Sequence, residues 1–487
     1  MDSNRSRVSI VRETSLGVLP ATPRMRPVRT TGESLAYAPT FFTPDEIRAD
    51  RMNADPAQIG LNNRGGINYE LSYPHNLQAL SELTLNAMYS PWALTPEWDD
   101  NEVAGSVGAI STNVITVTDL SGSGGFAGTA VKANHLLRSS GWATGANNGV
   151  FKVASSTATS ITLSGLTNEG ASNNVRLKVV GFEGNSGDIT ATATGLGSTA
   201  LNFTTLGLVV GQWVKIGDAS NAIFGFANAA NNGWARITGI SATALTLDNL
   251  PSGWATDAGT GKTIRVFFGD VIKNGTTRAS HGVERSFLGQ AVPTHILHLG
   301  MVVSRWTESM TSGRAITGSY ELMGLSASSG TTPNGNSYDT PGTHGVMTAN
   351  VSVGRIGEAG ALLSSPNWAR RLDWSLDNNL RGIEALGTVG FVEMGVGEAA
   401  VTGTIETYFG SNALYTKLLA GTPSNLSARI ARNNQAVVRT FPRVTFTDGS
   451  PNAGGKNQDV TLPLAWTASA DTATSCVLQT DRLEYFN

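Results

Sequence analysis

The sequence predicts a mainly β chain, one β domain interrupted by two small tandem β modules. Three observations predict it. The composition is turn-rich and weakly charged: 56 of the 487 residues are Gly, 15% are charged and the formal net charge is −3, where roughly 25% charged is usual. Period-two alternation runs through residues 67–73, 300–306, 315–322 and 401–408, the spacing of half-buried strands. A direct repeat lies in the middle of the chain. Shifting Gly141–Leu163 by 84 residues onto Gly225–Leu247 leaves ten positions identical, including Asn147-Asn148-Gly149 against Asn231-Asn232-Gly233.

From the N-terminus, Arg5, Arg7 and Arg12 have no apolar run behind them, so no signal peptide is read there. A soluble protein made in a cytoplasm is expected, with no segment of the roughly 20 apolar residues that span a bilayer. Pro20, Pro23 and Pro27, interleaved with Arg24, Arg26 and Arg29, exclude a regular helix and predict an extended outer arm over residues 9–30. Two segments read as helices. Residues 76–90 stripe Leu77, Leu80, Leu83, Ala87 and Met88 before Ser90-Pro91, and residues 411–419 stripe Leu414, Tyr415 and Leu418 before Gly421. A strand, a long polar stretch with an apolar–Arg pair (Ile47-Arg48, Leu380-Arg381) and a second strand precede each helix, a plan that is either a duplication or chance likeness of short β segments.

These boundaries give residues 1–102 as the first part of the outer domain and 269–487 as its second part. Residues 103–183 and 184–268 are the repeated modules, each of short strands divided by Gly/Asn turns.

Motifs for chemistry are weak. Thr256–Thr263 ends like a phosphate loop but lacks the leading Gly and is followed by β-type residues. His295 and His298 would stand on opposite faces of a strand with no acidic neighbour. Asp99-Asp100 reads as a solvated junction. The six His are scattered and Cys476 is the lone Cys, which excludes a disulfide scaffold. No enzyme, cofactor or metal is expected, and near-neutral charge excludes a chain whose main work is neutralising phosphates.

In order along the outer zones, Ser3–Thr14, Gly17–Thr22, Thr31–Leu35, Asp45–Arg51, Gly65–Tyr73, Lys273–Thr277, Gly300–Val303, Gly318–Gly324, Asn412–Leu418 and Gly454–Val460 resemble tail tube proteins of long-tailed bacteriophages. The resemblance implies a tail-tube β-sandwich or barrel with a flanking helix. Six copies would form a ring, with long hairpins at 41–66 and 374–401 lining its lumen, and rings would stack into a virion tail tube assembled in the host cytoplasm. The implied partners are further copies, tape-measure, terminator and distal tail proteins, and DNA sliding through without specific binding. Ring-interface and lumen candidates are then Asp45, Glu46, Ile47, Arg48, Asp50 and Arg51 with Asp377, Leu380, Arg381 and Glu384. Asp55 and Glu393 would add acidic character to the bore. The insertion departs from the family pattern and is read as projecting outward. Trp142 and Trp234 could stack on a host glycan there, the alternative being an adhesion role; packing of a small β core is the plainer reading of both.

Overall fold

Many strands in this chain put apolar residues on one side and polar ones on the other, while others, such as Gln479–Glu484, are buried on both, and the computed structural model stacks them into a mainly β fold. The structure describes residues 3–76, 78–99, 108–117, 130–172 and 174–486. The outer domain begins with β1 (Ser6–Arg12), β2 (Arg24–Pro27), β3 (Thr30–Glu33), β4 (Ala36–Phe42), β5 (Ala57–Glu70) and α1 (Ala79–Met88). After the insertion come β6 (His281–Phe287), β7 (Thr294–Thr311), β8 (Thr317–Gly324) and β9 (Ser326–Gly330). A second series follows: β10 (Val353–Glu358), β11 (Ala361–Leu362), β12 (Ala369–Asp377), β13 (Ala400–Tyr408), α2 (Ala413–Ala420), β14 (Ser424–Arg432), β15 (Gln435–Gly449), β16 (Asn452–Ala453), β17 (Val460–Ala468) and β18 (Gln479–Glu484).

The second series repeats the topology of the first, with β12 standing where β3 and β4 stand. In the first, β1 pairs β6, β6 pairs β7, β7 pairs β8, β8 pairs β5, and β5 pairs β3 and β4. In the second, β10 pairs β14, β14 pairs β15, β15 pairs β17, β17 pairs β13, and β13 pairs β12. The registers coincide as well. A shift of 143 residues carries His281 opposite Met301 onto Ser424 opposite Val444, and Phe287 opposite Thr294 onto Ile430 opposite Val437. Register breaks recur at matching rungs: Val303/Arg305 with Phe446/Asp448, His281/Val283 with Ser424/Leu426, and Thr30/Gly32 with Ala369/Arg371. The outer domain is therefore two units of one topology, and the strand–loop–strand–helix likeness is its surface trace.

Two ladders join the units: Asp270–Lys273 pairs β18, and β7 meets β12. The end of β7 pairs β12 from Arg305 opposite Asp377 to Thr311 opposite Arg371. A single apolar core continues across it, with Tyr69 and Trp306 both stacked on Tyr320 and Trp374 edge-on to Trp306 at 4.6 Å. Inside the core, Arg439 of the second unit reaches Glu308 of the first at 2.8 Å, and both are buried.

Several expectations are corrected. Residues 9–30 are no outer arm. β1 and β2 are sheet members with Ile10 and Met25 wholly buried, and Arg24 and Arg26 find carboxylates on Asp339 and Glu82. α1 starts three residues later than read and is buried on nearly every side; Leu77 lies outside the described residues. Its Asn86 bonds His281, the Met301 carbonyl and the Val303 N–H, so even its polar residues are internal. A third, four-residue helix covers Ala349–Ser352. Asp99 sits in a strand opposite Arg176 rather than in a solvated loop, and Asp100 lies outside the described residues.

Within the insertion, the repeated Asn pairs explain themselves. Asn147 clamps Thr167 by two hydrogen bonds of 2.9 Å, and Asn231 clamps Ala255 in the same way. Asn148 and Asn232 close their own loops on the backbone of Trp142 and Phe226. The two copies share one sheet, because Arg265–Phe267 pairs both Arg176–Glu183 and Trp213–Ile216. One apolar cluster runs through both, from Trp98 to Phe268. The 102/103 boundary falls outside the described residues.

Candidate assembly surfaces

Three surfaces stand out: a polar sheet face, two protruding hairpins, and the seat of the insertion. The sheet face follows from register. Asn68 of β5 lies opposite Ser319 of β8, Ser319 opposite Thr307 of β7, and Thr307 opposite Ser375 of β12. Ser375 in turn faces Thr402 of β13, Thr402 faces Thr467 of β17, and Thr467 faces Thr445 of β15. One row of hydroxyl and amide side chains thus crosses seven strands and both units, and most of it lines a shallow groove. Thr307 and Ser319 share a hydrogen bond of 2.8 Å, and Ser375 and Thr402 one of 3.3 Å. Neighbouring charges on this face are matched: Arg305 with Asp377 at 3.5 Å, Arg371 with Asp373, and Arg370 with Glu406 at 3.1 Å. The sequence carried a signal for the row in Thr307-Glu-Ser309 and Thr402-Gly-Thr404, but only strand register reveals that the pieces align.

The first hairpin, β4–β5, pairs from Ala36 opposite Arg64 to Phe42 opposite Ala57, with residues 43–56 as its tip. Asp45, Glu46, Ile47, Arg48, Asp50 and Arg51 all lie in that tip, and Ile47 is fully exposed, as Met52 largely is. Arg48 donates two hydrogen bonds to Asp50, at 3.0 and 2.7 Å, which holds the Asp50 carboxyl below its usual range. Arg51 takes a left-handed backbone, φ 58°, so this is a shaped turn.

The second hairpin occupies the same place in the second unit, between β12 and β13. It carries a two-stranded ladder of Arg381–Glu384 with Phe391–Gly395. Arg381 and Glu384 are exposed, and so are the apolar Ile383, Leu386 and Val389. Asp377 is at its root, accepting from the Asn379 N–H at 2.8 Å. Leu380 is partly buried against the cluster of Tyr89, Val302 and Met394. Glu393 is held below the usual carboxylate range by the Arg278 guanidinium at 2.7 Å. The structure thus brings the two groups of predicted residues to equivalent hairpins, one per unit.

The insertion is seated, not merely tethered. Leu136, Val180, Trp213, Trp234 and Phe267 pack with Ala436, Val438, Leu483 and Tyr485 of β15 and the C-terminal segment. Trp213 donates its indole N–H to Thr440 at 2.9 Å. A buried ionic cluster rims this seat: Arg138 and Arg176 on Glu484, Lys178 on Glu97 and Asp270, and Arg482 on Asp270 at 2.8 Å. Burial would raise the Glu484 carboxyl, but Arg176 and Arg138 overcome this and hold it well below its usual range. Trp142 is 4% exposed and donates its N–H to Ser139; Trp234 is 9% exposed, edge-on to Tyr485 and under Arg429. Neither ring offers the open face that sugar stacking needs, so the packing reading accounts for both.

His295 and His298 are buried on opposite faces of β7, bonded to Ser286 and Asn63, but His295 does have an acidic neighbour, Glu284 at 3.6 Å, brought in by β6. Thr256–Thr263 is followed by strand, not helix. Among the described residues no group of three His, Cys, Asp or Glu is placed to hold a metal, and no helix is long and apolar enough to cross a membrane.

Compared with protein families, residues 3–468 match a model described as phage tail tube protein. No curated protein matches the chain.

Proposed function

The chain belongs to the phage tail tube protein family, which makes it a structural component of a virion tail, and from that premise we propose how it builds the tube. Copies close side by side into rings of six tube units, rings stack, and DNA passes down the bore. The observation that carries this reading is the row of seven uncharged polar residues across both units. A wall that lets DNA slide should offer hydration without a surplus of Lys and Arg, whose phosphate contacts would hold the duplex. We assign this face to the bore.

We give the hairpins a different place from the lumen that the resemblance implies. Exposed Ile47, Met52, Leu386 and Val389 suit contact with protein better than contact with DNA. We assign both tips, including Asp45, Glu46, Arg48, Asp50, Arg51, Arg381 and Glu384, to contacts between successive rings. At the ends and inside the tube, terminator, distal tail and tape-measure proteins would meet the same surfaces. The insertion would face the outside, away from the hydroxyl row.

Electron microscopy of the concentrated full chain is the test. Hollow tubes with a bore wide enough for duplex DNA are expected. A chain that stays monomeric at high concentration and fails to enter tails would overturn the reading.

A further inference from the structure

We propose that each ring contains three copies, not six, and that neighbouring copies join by pairing the outer edge of β15 with the outer edge of β4, Asp448 standing opposite Ala38. This rests on the tube reading above.

The seam inside the chain carries over to the seam between copies by register. The chain already shows how one unit joins the next: β7 of the first unit pairs β12 of the second, starting with Arg305 opposite Asp377. The repeat assigns an equivalent to each side of this seam. Arg305 pairs Glu321 on β8, and Asp448 pairs Ala465 on β17, each just after the same register break. Asp377 pairs Ala400 on β13, and Ala38 pairs Asn62 on β5, at matching rungs of matching ladders.

Asp448 and Ala38 are thus the unjoined counterparts of Arg305 and Asp377. Among the described residues no strand pairs the outer edge of β4 or residues 445–449 on the side away from β17. Unpaired strand edges are templates for pairing, and a head-to-tail contact that closes removes both. Each copy contributes two units, so six units close with three copies.

The seam between copies is built to be the weaker one. The equivalent of Trp306 is Gly449, and Glu308, half of the buried ion pair, is replaced by Pro451. Asn378 donates to the Ser304 carbonyl at 2.8 Å, while its counterpart Pro39 has no N–H to give. Proline at an edge limits indiscriminate strand addition. Copies therefore fold separately and join afterwards, while the two units within a chain are fused.

Two measurements test this. In images of tubes from the unaltered chain, three insertion densities per ring, on alternate units, are expected; six would overturn the proposal. In a Cys476→Ser background, Ala38→Cys with Asp448→Cys should cross-link neighbours, because the pair is of the non-hydrogen-bonded type whose Cβ atoms approach closely. Denaturing gels should then show covalent trimers as the limiting species, and none when either cysteine is omitted. Intact three-copy rings without the cross-link would overturn the seam. Absence of any tube from the unaltered chain would instead overturn the function from which the inference starts.

Discussion

Glu308→Ala is the sharpest test of how the two units are held together. Glu308 accepts from Arg439 at 3.2 and 2.8 Å and from the Tyr69 hydroxyl at 3.2 Å. Arg439 is 1% exposed, lies over the Trp306 ring at 4.7 Å, and has one other side-chain hydrogen bond, to Thr480 at 3.1 Å. Truncating Glu308 leaves that guanidinium buried without its counter-charge. The cost of such a loss is about 3–5 kcal/mol, and the Tyr69 hydroxyl, which still accepts from the Trp306 N–H at 2.8 Å but loses the acceptor of its own proton, adds about 1 kcal/mol. Replacing both partners, as Glu308→Leu with Arg439→Met, removes the charge problem and keeps volume, so it should fall within about 2 kcal/mol of the native chain. Urea melts followed by tryptophan fluorescence report directly, since Trp306 and Trp374 sit at the pair. Comparing midpoints at equal slope avoids a long extrapolation. A single variant that loses less than about 1 kcal/mol, or a double variant as damaged as the single, refutes the claim that a buried charge pair locks this seam.

Burial raises the Asp481 carboxyl to about 7, although Gln479 and the Trp213 N–H bond to it. Between about pH 4 and 7 the folded chain keeps a proton that the unfolded chain has lost, so this group's stabilisation fades as pH rises through that window. Asp481→Asn should flatten the fall in Tm from pH 5 to 8, and an unchanged slope counts against it. Asn147→Ala and Asn231→Ala each delete a two-bond clamp, worth about 2 kcal/mol; thermal melts showing no loss at either site would contradict the account of the repeat. A Cβ at Gly403 would fall 2.3 Å from the Trp466 ring and 2.4 Å from the Asp373 carbonyl, so Gly403→Ala should cost at least about 1–3 kcal/mol, and a native-like Tm would disprove the close approach. Ile47→Asp with Leu386→Asp should leave the melt unchanged yet shorten tubes several-fold in micrographs; tubes of normal length would rule out the stacking role of the tips.

Legibility in the sequence followed how much identity each feature preserves. The repeat inside the insertion was plain because its function needs the same side chain twice: Asn147 and Asn231 make the same two bonds. Duplication of the outer domain was nearly silent because its function needs the same backbone twice. Ile67 and Ile405 match, but Trp306 has become Gly449, and Leu322 has become Trp466. A core can be refilled by different residues of suitable total volume while its ladders stay in register. The arm was misread because Arg24 and Arg26 resemble solvent-facing residues until Asp339, more than 300 positions away, is folded against them. Trp142 and Trp234 show the limit from the other side, since composition alone does not distinguish a binding platform from a core.

The repeated register breaks have a consequence for shape. A bulge bends its strand and increases local twist, so a sheet with bulges at chosen rungs has a chosen radius. Here both units carry them at the same rungs, next to Arg305 and Asp448 and again beside Gly32 and Arg371. Each unit therefore turns the wall through the same angle, whatever residues fill its core. In the proposed tube the diameter of the channel would be written in the backbone, with the side chains left free to diverge.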